Sequence, residues 1–213
     1  MSALRGAAAG DPPEDERLAD GGAGLVAGAV KAADDLAGRV EPRNRPALRE
    51  HAHCAIHHQS AVGGEQVTDV DVAEAVRTTV ENVERDRPDS DADVQVKSIP
   101  AGPVRLKANA FRRLLANLIS NAVRYGHKVE ISGEIKDQRL WIYVDDNGPG
   151  IPADKREEAF RPFVRLDNAR NLDETGTGLG LAIALDIAHA HGGEIMLEDA
   201  PMGGLRAAVK LPV

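Results

Sequence analysis

The most regular stretch of the chain is 111–125, FRRLLANLISNAVRY. Phe111, Leu114, Leu115, Leu118, Ile119 and Ala122 recur there at i, i+3, i+4 and i+7, the spacing of a helix with one buried face. Asn117, Asn121 and Tyr125 follow at four-residue intervals and line up along one edge of that face. Carboxamides beside a core stripe need partners, so this edge is either a satisfied helix–sheet margin or a binding edge. Upstream, 67–72 alternates, and Val72, Val76, Val80 and Val83 predict a helix ending near Arg85. Strands are predicted at 94–99, 104–106, 129–135 and 140–144, the last two joined by a turn at Asp137-Gln138. A loop (145–152), a short helix, a long irregular stretch, a helix over 178–190 and strands at 194–197 and 204–211 complete the chain. The expected fold is α+β: a two-layer sandwich of a mixed, mostly antiparallel sheet with three helices on one face.

Residues 1–65 have a different texture, rich in Ala, Gly and Arg, with prolines at 12, 13, 42 and 46. Apolar spacing suits a helix at 25–40 and a shorter one at 47–61. The pair reads either as a degenerate or truncated helical hairpin or as a poorly ordered segment, because its apolar side chains are small. It holds His51, His53, His57 and His58 beside Cys54. His53 and His57 are spaced to chelate a metal on a helix, but no second ligand set accompanies them, which favours a solvated polar patch. The expected division is 1–65 and 66–213.

Composition narrows the function classes. A net charge of −8 over 213 residues argues against a general nucleic-acid binder. One cysteine excludes an internal disulfide. No apolar run is long enough to span a bilayer and no signal-peptide pattern opens the chain, so a cytoplasmic location is expected. All aromatic residues (three Phe, two Tyr, one Trp) fall between 111 and 163, which places the best-packed core in the second half.

Two glycine signatures add chemistry. Asp145-Asp146-Asn147-Gly148-Pro149-Gly150-Ile151 follows a strand directly; its glycines permit positive φ and close approach of a ligand, and an aspartate there can accept from an amino group, although by itself the pattern is equally that of a plain turn. Gly176-Thr177-Gly178-Leu179-Gly180-Leu181 runs into an apolar helix, a phosphate cradle built from free N–H groups and the helix dipole. It is no P-loop, since GxxxxGK[ST] is absent, and Leu181 stands where a dinucleotide fingerprint has its third glycine. Between the signatures, 152–175 carries Phe160-Arg161-Pro162-Phe163 and a polar run, which reads as a lid over a ligand, with a disordered insertion as the alternative.

In order and spacing, NLISNAVRY, DDNGPGI, FRPFVR and GTGLGLAI resemble the N box, first glycine box, F box and second glycine box of sensor histidine kinase ATP-binding domains. These belong with Hsp90, DNA gyrase and MutL, and the wording is closest to the EnvZ-like osmosensor kinases. The resemblance covers roughly 66–213 and implies the Bergerat ATP-binding fold, with ATP and Mg²⁺ as ligands. By the same resemblance Asn121 would hold Mg²⁺, Asn117 would support that site and Arg124 would reach the phosphates. Tyr125 would pack on adenine and Asp146 would accept from its amino group. Gly148 and Gly150 would make room for the base, and Gly176, Thr177, Gly178, Leu179 and Gly180 would wrap the phosphates. Phe160 and Phe163 would anchor the lid, with Arg165 a further phosphate contact.

Members of the wider class that hydrolyse ATP carry a glutamate as general base where this chain has Asn117. An amide cannot take a proton, which favours transfer to histidine, already nucleophilic when neutral. The resemblance implies a histidine-bearing dimerisation hairpin, in cis or in trans, and a response-regulator receiver domain as partners. The H-E-x-x-[TN]-P context of a phosphoacceptor histidine is absent: Glu50 precedes His51 and Ala52 follows it. Two functions therefore stand side by side, a protein-histidine kinase and an ATP-binding module without autokinase activity. Homodimerisation would need 1–65 to form a hairpin.

Overall fold

A computed structural model describes residues 64–88, 90–164 and 178–213. The chain divides into two units, Met1–Ile56 and His57–Val213, and the account below concerns the second. Its elements are β1 (Thr68–Asp71), α1 (Val72–Asp86), β2 (Asp93–Val96), β3 (Pro103–Leu106), α2 (Ala108–Tyr125), β4 (Lys128–Lys136) and β5 (Arg139–Asp146). After a 3₁₀ turn (Ala153–Lys155) come α3 (Arg156–Ala159), α4 (Gly180–Ala190), β6 (Glu194–Asp199) and β7 (Leu205–Pro212).

Five strands form one sheet in the order β2-β4-β5-β7-β6. Only β2 runs parallel to its neighbour; the other pairings are antiparallel. The expected single sheet divides in two, because β1 and β3 pair separately, Val70 opposite Val104. β1 is closed by Asp71, whose side chain accepts from the Glu74 N–H and caps α1. Asp137 and Gln138 both take positive φ at the β4–β5 hairpin, the turn expected there.

Strand alternation decides what meets the helices. Val129 and Ile131 of β4, Leu140, Ile142 and Val144 of β5, and Val209 and Leu211 of β7 are all buried. The three long helices lie on that face, with α2 against β4 and β5, α4 against β6 and β7, and α1 against β2 and α2. Phe111, Leu114, Leu115, Leu118 and Ile119 of α2 are essentially inaccessible. At about 2 kcal/mol each, their burial contributes roughly 10 kcal/mol before entropy. The core therefore sets the rotation of α2, and the asparagine edge follows from it. The opposite sheet face carries Trp141 stacked on Tyr143, with Lys210 and Arg206 over the two rings.

The two-layer α+β sandwich expected from the sequence is thus the observed fold, with three long helices and the single-turn α3. The strand expected at 94–99 runs from Asp93 to Val96, and two boundaries beside the candidate site also differ. Asp145 and Asp146 end strand β5 instead of opening a loop. Helix α4 starts at Gly180 instead of 178, because Gly178 has a φ of 68°, outside the right-handed helical region.

Candidate nucleotide-binding site

The site forms where the C-terminal end of α2, the end of β5 and the start of α4 converge. Along the α2 edge Asn117 and Asn121 are half-buried and Tyr125 is exposed. The Asn117 Nδ2 donates to the Arg113 carbonyl one turn back, 2.9 Å. Gly180, the first residue of α4, stands over Asn117: a methyl group there would lie 3.5 Å from Asn117 Oδ1. Asn121 makes no side-chain hydrogen bond among the described residues, so its carboxamide oxygen remains available. Arg124 is also half-buried, one turn past Asn121.

Asp146 faces inward from the end of β5 and is only 3% exposed. Its Oδ1 accepts the N–H of Gly148 at 2.8 Å and that of Leu205 at 3.3 Å. Among the described residues no donor reaches Oδ2, and no buried side-chain atom lacks a partner; Oδ2 therefore keeps contact with solvent. Burial pushes the carboxyl above the usual range, the two backbone N–H groups pull it back, and the neighbouring Asp145 charge pushes it up further. A carboxylate with one oxygen fixed and one open is a fitted acceptor for an amino group.

The glycine loop is held from behind by backbone. Asn147 Oδ1 accepts from the N–H groups of His127 and Lys128, both at 2.9 Å. A side chain at Gly148 would meet the Tyr125 carbonyl at 2.6 Å, so this glycine lets β5 dock on the end of α2. Gly204, in the β6–β7 turn, would meet the Asp146 carbonyl at 2.3 Å. These glycines are thus also packing positions within the chain. The described residues on either side of 165–177 are likewise joined: Phe163, at a φ of 66°, donates its N–H to the Gly178 carbonyl at 2.9 Å, and Phe160 packs on the core. Leu179 is buried at the entry to α4. Arg165, Gly176 and Thr177 lie outside the described residues, as do the histidine cluster, Cys54 and the helices expected within 25–61.

Mg²⁺ prefers oxygen ligands and keeps several waters or phosphates. The half-buried Asn121 carboxamide fits one such position. Among the described residues no group of three or more His, Cys, Asp or Glu could hold a metal, so the nucleotide would supply much of the coordination.

Several supporting residues carry no motif. Helix α2 has no cap of its own, since Lys107 makes no side-chain bond and no acid lies in its first turn. Glu65 caps it from 44 residues away, accepting from the N–H groups of Asn109 (2.6 Å) and Ala110 (3.0 Å). His191, at the end of α4, accepts the Lys107 N–H on Nε2 at 3.1 Å, while Nδ1 donates to the Ile187 carbonyl. Arg156 ties the Ile151 carbonyl to Asp199. A Gly-Gly pair before the final strand was a readable turn signal; nothing local marks Glu65 or His191.

Residues 106–213 match the family described as histidine kinase-, DNA gyrase B- and HSP90-like ATPases. That is just over half of the chain, and the chain belongs to this family. In particular, it is 43% identical over 119 residues to the sensor histidine kinase CpxA of Escherichia coli strain K12, a match covering 54% of this chain and 26% of CpxA. It thus corresponds to about a quarter of that relative's length. Among solved structures it is similar to the mycobacterial sensor histidine kinase MprB, at 27% identity and a TM-score of 0.59, covering 68% of this chain and 97% of that one. The ATP-binding domain of PrrB from Mycobacterium tuberculosis is 29% identical with a TM-score of 0.57, covering 68% and 96%. The expected family membership and the Bergerat-type sandwich are both borne out.

Proposed function

We propose that residues 66–213 are the catalytic ATP-binding domain of a protein-histidine kinase in two-component signalling. The domain binds Mg·ATP and transfers the γ-phosphoryl to a histidine, for relay to a response-regulator aspartate. The observation that carries this reading is the combination of Asp146, inward-facing with Oδ2 open, and Asn121 on the adjoining helix. One offers an acceptor to the adenine amino group and the other an oxygen to the metal. Bound Mg²⁺ would offset the phosphate charge.

Tyr125 covers the adenine and Arg124 reaches toward the phosphates. Asn117 holds the metal end of α2 in place without offering a base. The amides at 176–180 and the dipole of α4 receive phosphate oxygens. In the transfer the γ-phosphorus breaks from the β–γ bridging oxygen, which leaves with the electron pair as ADP. The imidazole nitrogen bonds to phosphorus, and the ring's other nitrogen releases its proton to solvent. The chain's contribution is positioning and charge placement.

The second reading is an ATP-binding module that acts in trans or as a regulatory partner. It is favoured by the sequence around His51, which lacks the phosphoacceptor context. Incubation with γ-labelled ATP and Mg²⁺ separates the two. Acid-labile, base-stable label on the chain, lost when His51, His53, His57 and His58 are all replaced, supports self-phosphorylation. Label appearing only when a separate histidine hairpin is added supports action in trans. No label in either case, with nucleotide still bound, would sink the kinase reading. By this proposal the domain works in the cytoplasm, as the soluble part of a membrane sensor; among the described residues no helix is long and apolar enough to cross a membrane.

A further inference from the structure

The end of β5 buries two consecutive carboxylates that point to opposite faces of the sheet. Asp146 faces the helices, and Asp145, 6% exposed, faces outward. Neighbouring like charges in a poorly solvated place resist simultaneous ionisation. The chain answers only one of them. Arg206 of β7 sits across from Asp145 in register and grips both of its oxygens, Nε to Oδ1 and Nη2 to Oδ2, each at 2.7 Å. Its guanidinium also lies over the Tyr143 ring, 4.8 Å from the centroid. A planar, always-charged group held by a fork and a ring has little freedom to leave.

The other charges around this pair are themselves matched. Glu130 of β4, across from Asp145 on its other side, contacts Lys97 and Lys128. Glu198 of β6 stands beyond Arg206. The outer face thus carries a line of Lys97 and Lys128, Glu130, Asp145, Arg206 and Glu198. On the inner side, the C-terminal cap of α2 packs on Asp146 through Gly126, and Arg124 and Tyr125 each take part in interactions of their own. Asp146 itself receives only backbone N–H groups.

We infer that Arg206 is a positioning residue for ligand recognition: by holding Asp145 as a neutralised ion, it leaves Asp146 as the ionised acceptor at the mouth of the site. The functional part of this inference rests on the reading of Asp146 as the adenine contact. Without the guanidinium, the Asp145 charge stands unbalanced beside Asp146 and disfavours its ionised form. Burial acts in the same direction, so Asp146 takes up its proton at a higher pH and is no longer reliably a carboxylate.

The test is a ¹³C NMR titration of the aspartate carboxyl carbons in the nucleotide-free chain, with Asp146→Asn for assignment. In Arg206→Met the Asp146 titration moves up by about one pH unit relative to the parent. In Asp145→Asn, which leaves the guanidinium unbalanced, Asp146 titrates below the parent position, and in Asp145→Asn combined with Arg206→Met it returns toward the parent position. Should Arg206→Met fail to fold, Asp145→Asn and the charge-free double variant decide alone. A role limited to clamping β5 to β7 predicts weaker folding in every variant and no movement of the Asp146 titration. Identical Asp146 titrations in the parent, in Arg206→Met alone and in Asp145→Asn alone would overturn the inference. Mg·ADP affinity at neutral pH and at the more acid pH where Asp146 is found to titrate then reads the functional consequence. Arg206→Met loses more affinity on acidification than the parent, and the double variant does not. A shifted titration with no Mg·ADP binding in the parent would leave the electrostatic link standing and remove the nucleotide reading instead.

Discussion

The glycine pair at 203 and 204 offers a controlled measure of how tightly the site is assembled. Both residues take positive φ, 81° and 88°, so alanine at either position carries a similar backbone cost of about 1 kcal/mol, partly offset by a less flexible unfolded chain. Their surroundings differ. A side chain at Gly203 meets nothing within 4 Å, whereas one at Gly204 would meet the Asp146 carbonyl at 2.3 Å and the Gly148 nitrogen at 2.7 Å. Those neighbours are backbone and cannot rotate away. Forcing β7 from β5 adds about 1–3 kcal/mol of overpacking and pulls the Leu205 N–H from Asp146. Gly203→Ala should therefore cost under about 1 kcal/mol and Gly204→Ala roughly 2–4 kcal/mol, the latter about 6–12 °C in Tm at this size. Trp141, the chain's single tryptophan, lies on β5, so its fluorescence in a urea titration follows the relevant unit. Equal losses in the two variants, within about 0.5 kcal/mol, would show that the turn does not seat against β5 and that the reasoning is wrong.

Three further outcomes are expected. Asp146→Asn should abolish adenine-nucleotide binding in calorimetry yet stabilise the empty fold at neutral pH. The carboxyl is raised by burial, so its contribution is favourable below the unfolded value and is lost as pH rises through the folded one. The gain from the amide should accordingly be larger in denaturant melts at neutral pH than in the ordinary carboxylate range, and no difference between the two would contradict the sign. Asn121→Ala should weaken Mg·ATP binding at least about tenfold, since second-shell and ligand losses at metal sites run at 10–100-fold, with the melting temperature almost unchanged. Glu65→Gln should cost about 1 kcal/mol, the usual worth of a helix cap with a charge at the dipole's positive end. Amide exchange should accelerate at Asn109 and Ala110; unaltered protection there would mean that Glu65 does not cap α2.

Much of this molecule was legible in the residue order, and for one reason: the signals involved are short-ranged. The buried stripe of α2, the edge that puts Asn117, Asn121 and Tyr125 in line, the Asp137-Gln138 turn and the alternating strands all depend on neighbours within a helical turn or a strand pair. The glycine signatures belong to this class, and with the asparagine edge they were sufficient to expect the fold and the family and to nominate the residues of the candidate site. Tertiary structure decided what depends on residues far apart in sequence. It placed Asp145 and Asp146 on opposite faces by continuing β5, gave Asp146 the Leu205 amide from 59 residues away and gave Asp145 the Arg206 guanidinium from 61. It also supplied α2 with a cap from Glu65 and a tether from His191, 44 and 84 residues distant. No local pattern encodes such pairings, because a carboxylate, an imidazole or an amide looks the same in sequence whether it meets water or a partner. The fold determines which of them meet, and in this chain it leaves one oxygen of a buried aspartate open to solvent.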